Sequence, residues 1–221
     1  MASAVATRRP DIRQRMARMY RPQKYIYDAT RKYYLLGRDR LIDGLTMRPG
    51  QSLLDIGCGT GRNLVLIGRR QSGCALFGLD AAQPMLEIAT AKLARAGVRA
   101  RLAHGVAEDL DPHAMFGHTG GFDHITISYC LSMVDDPEAV LHAAARQLAP
   151  GGTLHVVDFG DMAGLPAWSR RALTAWLAPF HVRYRPEVGS VLAAYGRAGG
   201  FRYDHLDLAR GYAQIQRLTR N

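Results

Sequence analysis

The chain has 221 residues, of which 48% are hydrophobic and 22% charged, and it carries a formal net charge of +10. That length suits one domain of generous size, and the balance of apolar and charged side chains excludes a mostly disordered chain. The charge is uneven: residues 1–40 hold 11 basic and 3 acidic side chains, a surplus of +8, which leaves only +2 for residues 41–221.

Pro22 divides two helical segments, 12–20 and 23–36. In the second, Ile26, Thr30 and Tyr33 recur at helical spacing, with Tyr27, Tyr34 and Leu41 on an adjoining stripe and Arg and Lys on the other faces. Residues 1–44 therefore read as a basic, tyrosine-rich helical cap on a body formed by residues 45–221. From Gly50 onward, short apolar runs alternate with helical stretches, the pattern of a parallel sheet covered by helices. Strands are expected at 52–56, 75–79, 98–103, 122–128 and 153–158. Helices are expected from the glycine turn at 57–61 to about Arg70, at 84–96, and at 137–148, the last with Pro137 in its first turn. Pro150-Gly151-Gly152 is read as a turn into strand 153–158. Runs 201–208 and 212–218 are separated only by residues 209–211, which suits an antiparallel hairpin, because a parallel crossover needs roughly a dozen residues or more. The expected fold class is an open, Rossmann-like α/β sheet, mostly parallel, with an antiparallel C-terminal hairpin and N-terminal cap helices.

Several classes are excluded by the same reading. No apolar run approaches the roughly 18–20 residues that span a bilayer. The opening MASAVATRRPDIRQR has no apolar signal region, so a cytoplasmic address is expected. Cys58, Cys74 and Cys130 are odd in number and lack CxxC spacing, which suggests neither a disulfide framework nor a zinc site. The histidines show no HxxxH or HExxH spacing, and no metal is expected.

The segment Leu53-Leu54-Asp55-Ile56-Gly57-Cys58-Gly59-Thr60-Gly61 sits where a strand meets a helix, at the sheet edge where open α/β folds bind ligands. Glycine lets the backbone approach a ligand closely, and the helix N-terminus offers N–H groups to an anionic end. The dinucleotide pattern G-x-G-x-x-G fails, because Arg62 occupies its last position, and an acid two residues before the first glycine is foreign to it. Asp80 closes the next strand, where a carboxylate can accept hydrogen bonds from both hydroxyls of a ribose. Together these features resemble the class I S-adenosylmethionine-dependent methyltransferases. The resemblance implies S-adenosylmethionine as cofactor and S-adenosylhomocysteine as its product. Asp55 would organise the loop and the ligand's amino group, Gly57, Gly59 and Gly61 would border its methionine part, and Asp80 with Ala81 would hold the ribose. Ala107-Glu108-Asp109-Leu110 looks like the segment facing the adenine, with Val106 where many members carry Asp or Asn. The strand ending in Ser128-Tyr129 resembles the one that finishes beside the reactive methyl group. No Asn-Pro-Pro-Tyr-type motif is present, which argues against exocyclic amines of DNA.

Met19-Tyr20-Arg21-Pro22 and the run Ile26-Tyr27-Asp28-Ala29-Thr30-Arg31-Lys32-Tyr33-Tyr34-Leu35-Leu36-Gly37-Arg38-Asp39 resemble the methyltransferases of bacterial betaine-lipid synthesis. That resemblance implies three successive N-methylations of diacylglyceryl-homoserine to diacylglyceryl-trimethylhomoserine. Transfer from a sulfonium to an amine is an in-line displacement that needs a neutral lone pair and close alignment. A Tyr hydroxyl can orient the amine, and aromatic faces stabilise the cationic product by about 0.5–2 kcal/mol per contact. Tyr20, Tyr25, Tyr27, Tyr33 and Tyr34 are five of the chain's ten tyrosines. At least three of them are expected simply to pack a helix on the core. Tyr129 and Tyr20 are the candidates at the reacting amine, with Tyr25, Tyr33, Arg31 and His181 lining the substrate and Tyr34 and Arg38 on the cofactor side. Arg31 and Arg38 could pair with the carboxylate of the homoserine head group or of the cofactor, or equally be solvated surface arginines.

The basic cap needs a partner. Anionic phospholipid attracts clustered cations by about 1 kcal/mol each, and nucleic acid attracts them through its phosphates. No RNA-binding module is visible, whereas an Arg-rich amphipathic segment suits a protein lying on a bilayer. The expectation is therefore a peripheral protein on the inner face of the cell membrane, without nucleic acid, with the enzyme that makes diacylglyceryl-homoserine as a further partner. Phosphatidylethanolamine is the near alternative acceptor, and RNA or a small molecule the distant one. A non-catalytic cofactor-binding protein is the alternative outside enzymes.

Overall fold

The computed structural model describes residues 35–177 and 184–221. The expected helix at 12–20, and that at 23–36 except for its last two residues, fall outside them. Leu35 and Leu36 form a turn that Gly37 carries into helix α1 (Arg38–Asp43).

Among the described residues, seven strands form one sheet: β1 (Ser52–Ile56), β2 (Ala75–Asp80), β3 (Arg101–His104), β4 (Phe122–Ser128), β5 (Leu148–Phe159), β6 (Phe201–Leu208) and β7 (Ala213–Arg220). Their order is β3-β2-β1-β4-β5-β7-β6; the first five are parallel, and β7 runs antiparallel to both β5 and β6. This is the expected mostly parallel sheet with an antiparallel C-terminal hairpin. Helices α2 (Arg62–Arg70), α3 (Gln83–Ala96), α4 (Pro112–Phe116), α5 (Pro137–Arg146), α6 (Ala167–Leu177) and α7 (Pro186–Ala198) complete the chain. Local chemistry sets several boundaries. The Asp111 carboxylate accepts from the amides of His113 and Ala114 at the start of α4, and Asp136 accepts from Ala139 at the start of α5, each with Pro in the first turn.

The two-residue period of the strands sorts side chains onto opposite faces. Leu54, Ile56, Ile125, Ile127, Leu154 and Val156 pack with α5 and α7 on one side. Leu53, Val157 and Ile215 pack with Leu41 and Ile42 of α1, Leu64 and Ile67 of α2, and Leu93 of α3 on the other. Leu35, Leu45 and Met47 are buried in this second cluster, so residues 35–47 are built into the core of the sheet.

Several elements differ from the sequence reading, among them α1 and α4, where no helix is expected. The strand expected at 98–103 forms only over Arg101–His104, because the Val98 amide is used to close α3 on the Leu93 carbonyl. Pro150-Gly151-Gly152 lies within β5 rather than before it. The pairing with β4 shifts from Phe122↔Leu148 to His124↔Thr153, so the extra residues form a bulge. Finally, α6 and α7 occupy a region for which the sequence reading places no element.

Candidate active site

The parallel strands bring the ends of β1, β2, β4 and β5 to one edge. There the amides of Gly57 and Cys58 share the Leu79 carbonyl at 2.8 and 3.1 Å, and Gly61 donates to the Cys58 carbonyl at 3.0 Å. The Gly59 amide donates to one oxygen of Asp80 at 2.7 Å, and the Ala82 amide donates to the other at 2.8 Å. Asp80 thus ties the glycine loop to the start of α3, and the two bonds fix the carboxylate at the sheet edge. The two central glycines have different reasons to be there. At Gly57 (φ +70) a Cβ would lie 2.5 Å from Cys130 Sγ, whereas at Gly59 (φ +54) it would meet no protein atom within 4 Å. The first is required by packing; the second leaves an open cradle.

Behind the loop, Asp55 is 1% exposed. The Thr126 hydroxyl donates to its Oδ1 at 2.6 Å, while its Oδ2 is buried without a hydrogen-bond partner. Burial lifts its pKa to about 6, against the lowering effect of the Thr126 bond, of the Asn63 side chain beside it and of the Arg38 charge. Asn63, in the first turn of α2, donates to Ser128 Oγ at 3.2 Å and leaves its own Oδ1 buried and unmet. Two buried acceptors without donors are costly in isolation. An ammonium group is a donor suited to such acceptors, and S-adenosylmethionine carries one on its methionine part. The donor set therefore fits this cofactor: Asp55 and Asn63 would take the amino group, Gly57, Gly59 and Gly61 would border the methionine chain, and Asp80 would receive the ribose.

The strip beside Asp80 is ordered by β3. Gly105 donates to the Asp80 carbonyl at 3.0 Å, His104 Nε2 lies 3.0 Å from the Ala81 carbonyl, and Ala107–Asp109 forms a single 3-10 turn. Ala107 is buried, and burial raises the pKa of the Glu108 carboxyl. This is the segment expected to face the adenine.

On the opposite side, Tyr129 follows β4 in the left-handed region (φ 53) and is 3% exposed. Its hydroxyl donates to the Leu36 carbonyl, and its ring stands edge-on to Phe159 at 4.8 Å between centroids. Burial and then the nearby Asp158 charge push its pKa well upward, so Tyr129 is a donor and not a base. Arg62 holds both oxygens of Asp39 at 2.7 and 3.2 Å. Arg38, beside it, lowers the pKa of both Asp55 and Tyr129. Of the other candidates, Tyr20, Tyr25, Arg31, Tyr33, Tyr34 and His181 lie outside the described residues.

The sequence gives no site role to Thr126, Asn63, Arg62, Asp39 or Asp158. Asp158 closes β5 as Asp80 closes β2, which was its one sequence signal. Its oxygens accept from the amides of Ser132 (3.1 Å) and Phe159 (2.8 Å), and burial raises its pKa to about 6 against those bonds.

Residues 53–152 match the family model described as a methyltransferase domain. The chain is 29% identical over 182 residues to demethylmenaquinone methyltransferase of Thermus thermophilus, covering 80% of this chain and 77% of that one. It is 36% identical over 149 residues to nocamycin O-methyltransferase of Saccharothrix syringae, covering 65% of this chain and 51% of that one. In fold it is similar to the plantazolicin methyltransferase BpumL, solved in complex with a pentazolic desmethylPZN analogue and SAH. The TM-score is 0.66 at 14% identity, over 97% of this chain and 99% of that one. In its sheet order, its glycine loop and the match of residues 53–152, the chain is thus similar to the class I S-adenosylmethionine-dependent methyltransferases.

Proposed function

We propose that this methyltransferase is an N-methyltransferase acting on the head-group amine of diacylglyceryl-homoserine, in three successive transfers, at the inner face of an anionic membrane. The observation that carries this reading is the seating of residues 36–39, where the 19–39 motif ends. Its last residues are locked onto the methyl-transfer edge, Leu36 by the Tyr129 hydroxyl and Asp39 by Arg62 in the first turn after the glycine loop. The segment resembling betaine-lipid methyltransferases therefore ends against the cofactor loop.

S-adenosylmethionine supplies the electrophilic methyl group on a sulfonium. The chain's contribution is placement: Asp55, Asn63 and Asp80 hold and orient, and Tyr129 fixes the motif beside the end of β4. Tyr129 stays protonated, so the amine's proton leaves to water, and alignment supplies the rate. Arg31 and Arg38 would receive the homoserine carboxylate, a group that phosphatidylethanolamine lacks.

A second reading has a specific observation in its favour. The similarity to a demethylmenaquinone methyltransferase extends over 80% of the chain, which favours a prenylated quinone, also a membrane lipid. Labelled cofactor offered separately with diacylglyceryl-homoserine, phosphatidylethanolamine, demethylmenaquinone and total RNA separates these acceptors. Three methyl groups per homoserine lipid are expected; label on the quinone or RNA alone would overturn the proposal. Arg31→Gln and Arg38→Gln should depress transfer to the homoserine lipid and leave any transfer to phosphatidylethanolamine unchanged.

A further inference from the structure

Helix α6 (Ala167–Leu177) leaves β5 at the edge that carries the cofactor loop. Its root is pinned there: the amides of Gly160, Met162 and Gly164 donate to the carbonyls of Tyr212, Gly211 and Arg210 in the β6–β7 turn, at 2.8–3.2 Å. Phe159 packs edge-on against both Tyr129 and Tyr212, so a chain of aromatic rings joins the end of β4 to that root. Leu173 and Leu165 face the core, and the other side of the helix turns outward. Trp168 is 75% exposed and Trp176 is 48% exposed, with Ala172 and Ala175 exposed between them. The spacing i, i+4, i+7, i+8 puts these four exposed apolar residues on one stripe of the helix. Arg170 and Arg171 are exposed on the same helix. No Asp or Glu occurs in the sequence between Asp161 and Glu187.

Large exposed aromatics are informative where small exposed apolar groups are not. Tryptophan beside arginine, without acids, is the composition that settles at the boundary between water and lipid head groups. We infer that α6 is a bilayer-docking helix that inserts Trp168 and Trp176 among the head groups of an anionic phospholipid membrane, with Arg171, which flanks the stripe, against its phosphates. The inference deepens the lipid-acceptor reading and rests on it. It places a membrane contact on the body of the protein, at the rim of the edge that holds the glycine loop.

The chain's only tryptophans are these two, so its intrinsic emission reports α6 alone. The full-length protein, without cofactor, is titrated with vesicles of phosphatidylglycerol and phosphatidylcholine, then with vesicles whose acyl chains carry bromine. Expected are a blue shift and bromine quenching, retained by Trp176→Phe, which keeps Trp168 as the sole reporter. Arg171→Gln should weaken vesicle binding about fivefold, the equivalent of about 1 kcal/mol for one cation. Flotation with vesicles while emission stays unchanged would overturn the inference, because another surface would then be docking. So would tryptophans already shielded from acrylamide before lipid is added, since the chain itself would then cover the helix, or binding to RNA in place of vesicles. Methylation of detergent-dispersed acceptor is scored separately: its absence with insertion intact tells against the acceptor, and insertion lost with methylation intact tells against α6.

Discussion

Replacing Asp55 with Asn removes a buried charge while keeping an oxygen for the Thr126 hydroxyl, which now donates at 2.6 Å. The wild-type carboxyl has a pKa of about 6 in the folded chain against an ordinary 3.8, with burial the chief cause. A raised carboxyl pKa favours the folded state at low pH, and that stability is lost as pH rises from 3.8 through about 6. Integrated between about pH 4.5 and about pH 8, the loss is about 2 kcal/mol. Asp55→Asn does not incur it. In urea unfolding without cofactor, the variant should therefore gain about 2 kcal/mol on wild type between those two pH values, or about 4–8 °C in Tm. Asp158, raised in the same way, is present in both proteins and cancels in the difference. Calorimetry at the higher pH should show the opposite order for S-adenosylmethionine, since the amide cannot balance an ammonium group. A stability difference that does not change with pH would refute the reasoning, as would unchanged cofactor affinity.

Other consequences are read in simpler assays. Asp80→Ala should abolish cofactor binding in calorimetry and cost about 2 kcal/mol of stability, because the Gly59 and Ala82 amides lose their acceptor but the core is untouched. Gly59→Ala should cost only the left-handed penalty of about 1–2 kcal/mol yet weaken cofactor binding, its Cβ entering the open cradle. Gly57→Ala should instead unfold at clearly lower denaturant than Gly59→Ala, since its Cβ collides with Cys130. Deleting residues 1–22 should reduce turnover on lipid vesicles far more than it weakens cofactor binding; equal losses would make the head part of the fold or of the cofactor site.

Much of the sheet was legible because its signals are local. Alternation of apolar runs and helical stretches marked β1, β2, β4 and the final hairpin to within two residues, and glycine at 57, 59 and 61 marked the loop by its backbone demands alone. Asp55 and Asp80 stood out because each has a fixed place relative to the end of its strand. The bulge in β5 was misread as a turn because Pro-Gly-Gly has the same local chemistry in both, and only pairing with β4 tells them apart.

What the tertiary structure decided are the contacts between residues far apart in the chain. Thr126 reaches Asp55 across 71 residues, Asn63 reaches Ser128 across 65, and Tyr129 reaches Leu36 across 93. No local pattern encodes such pairs, because they exist only once parallel strands place their ends side by side. The same holds for α6: a Trp-containing apolar stripe reads as core in any sequence, and only the packing of its other face leaves Trp168 in water. The sequence by itself determined where the glycine loop and the candidate anchors Asp55 and Asp80 lie along the chain and that a basic, tyrosine-rich segment precedes them. Folding decided which buried acceptors are left unmet, which tyrosine is held by the backbone, and which helix faces outward, because those depend on the environment each side chain receives and not on its neighbours in sequence.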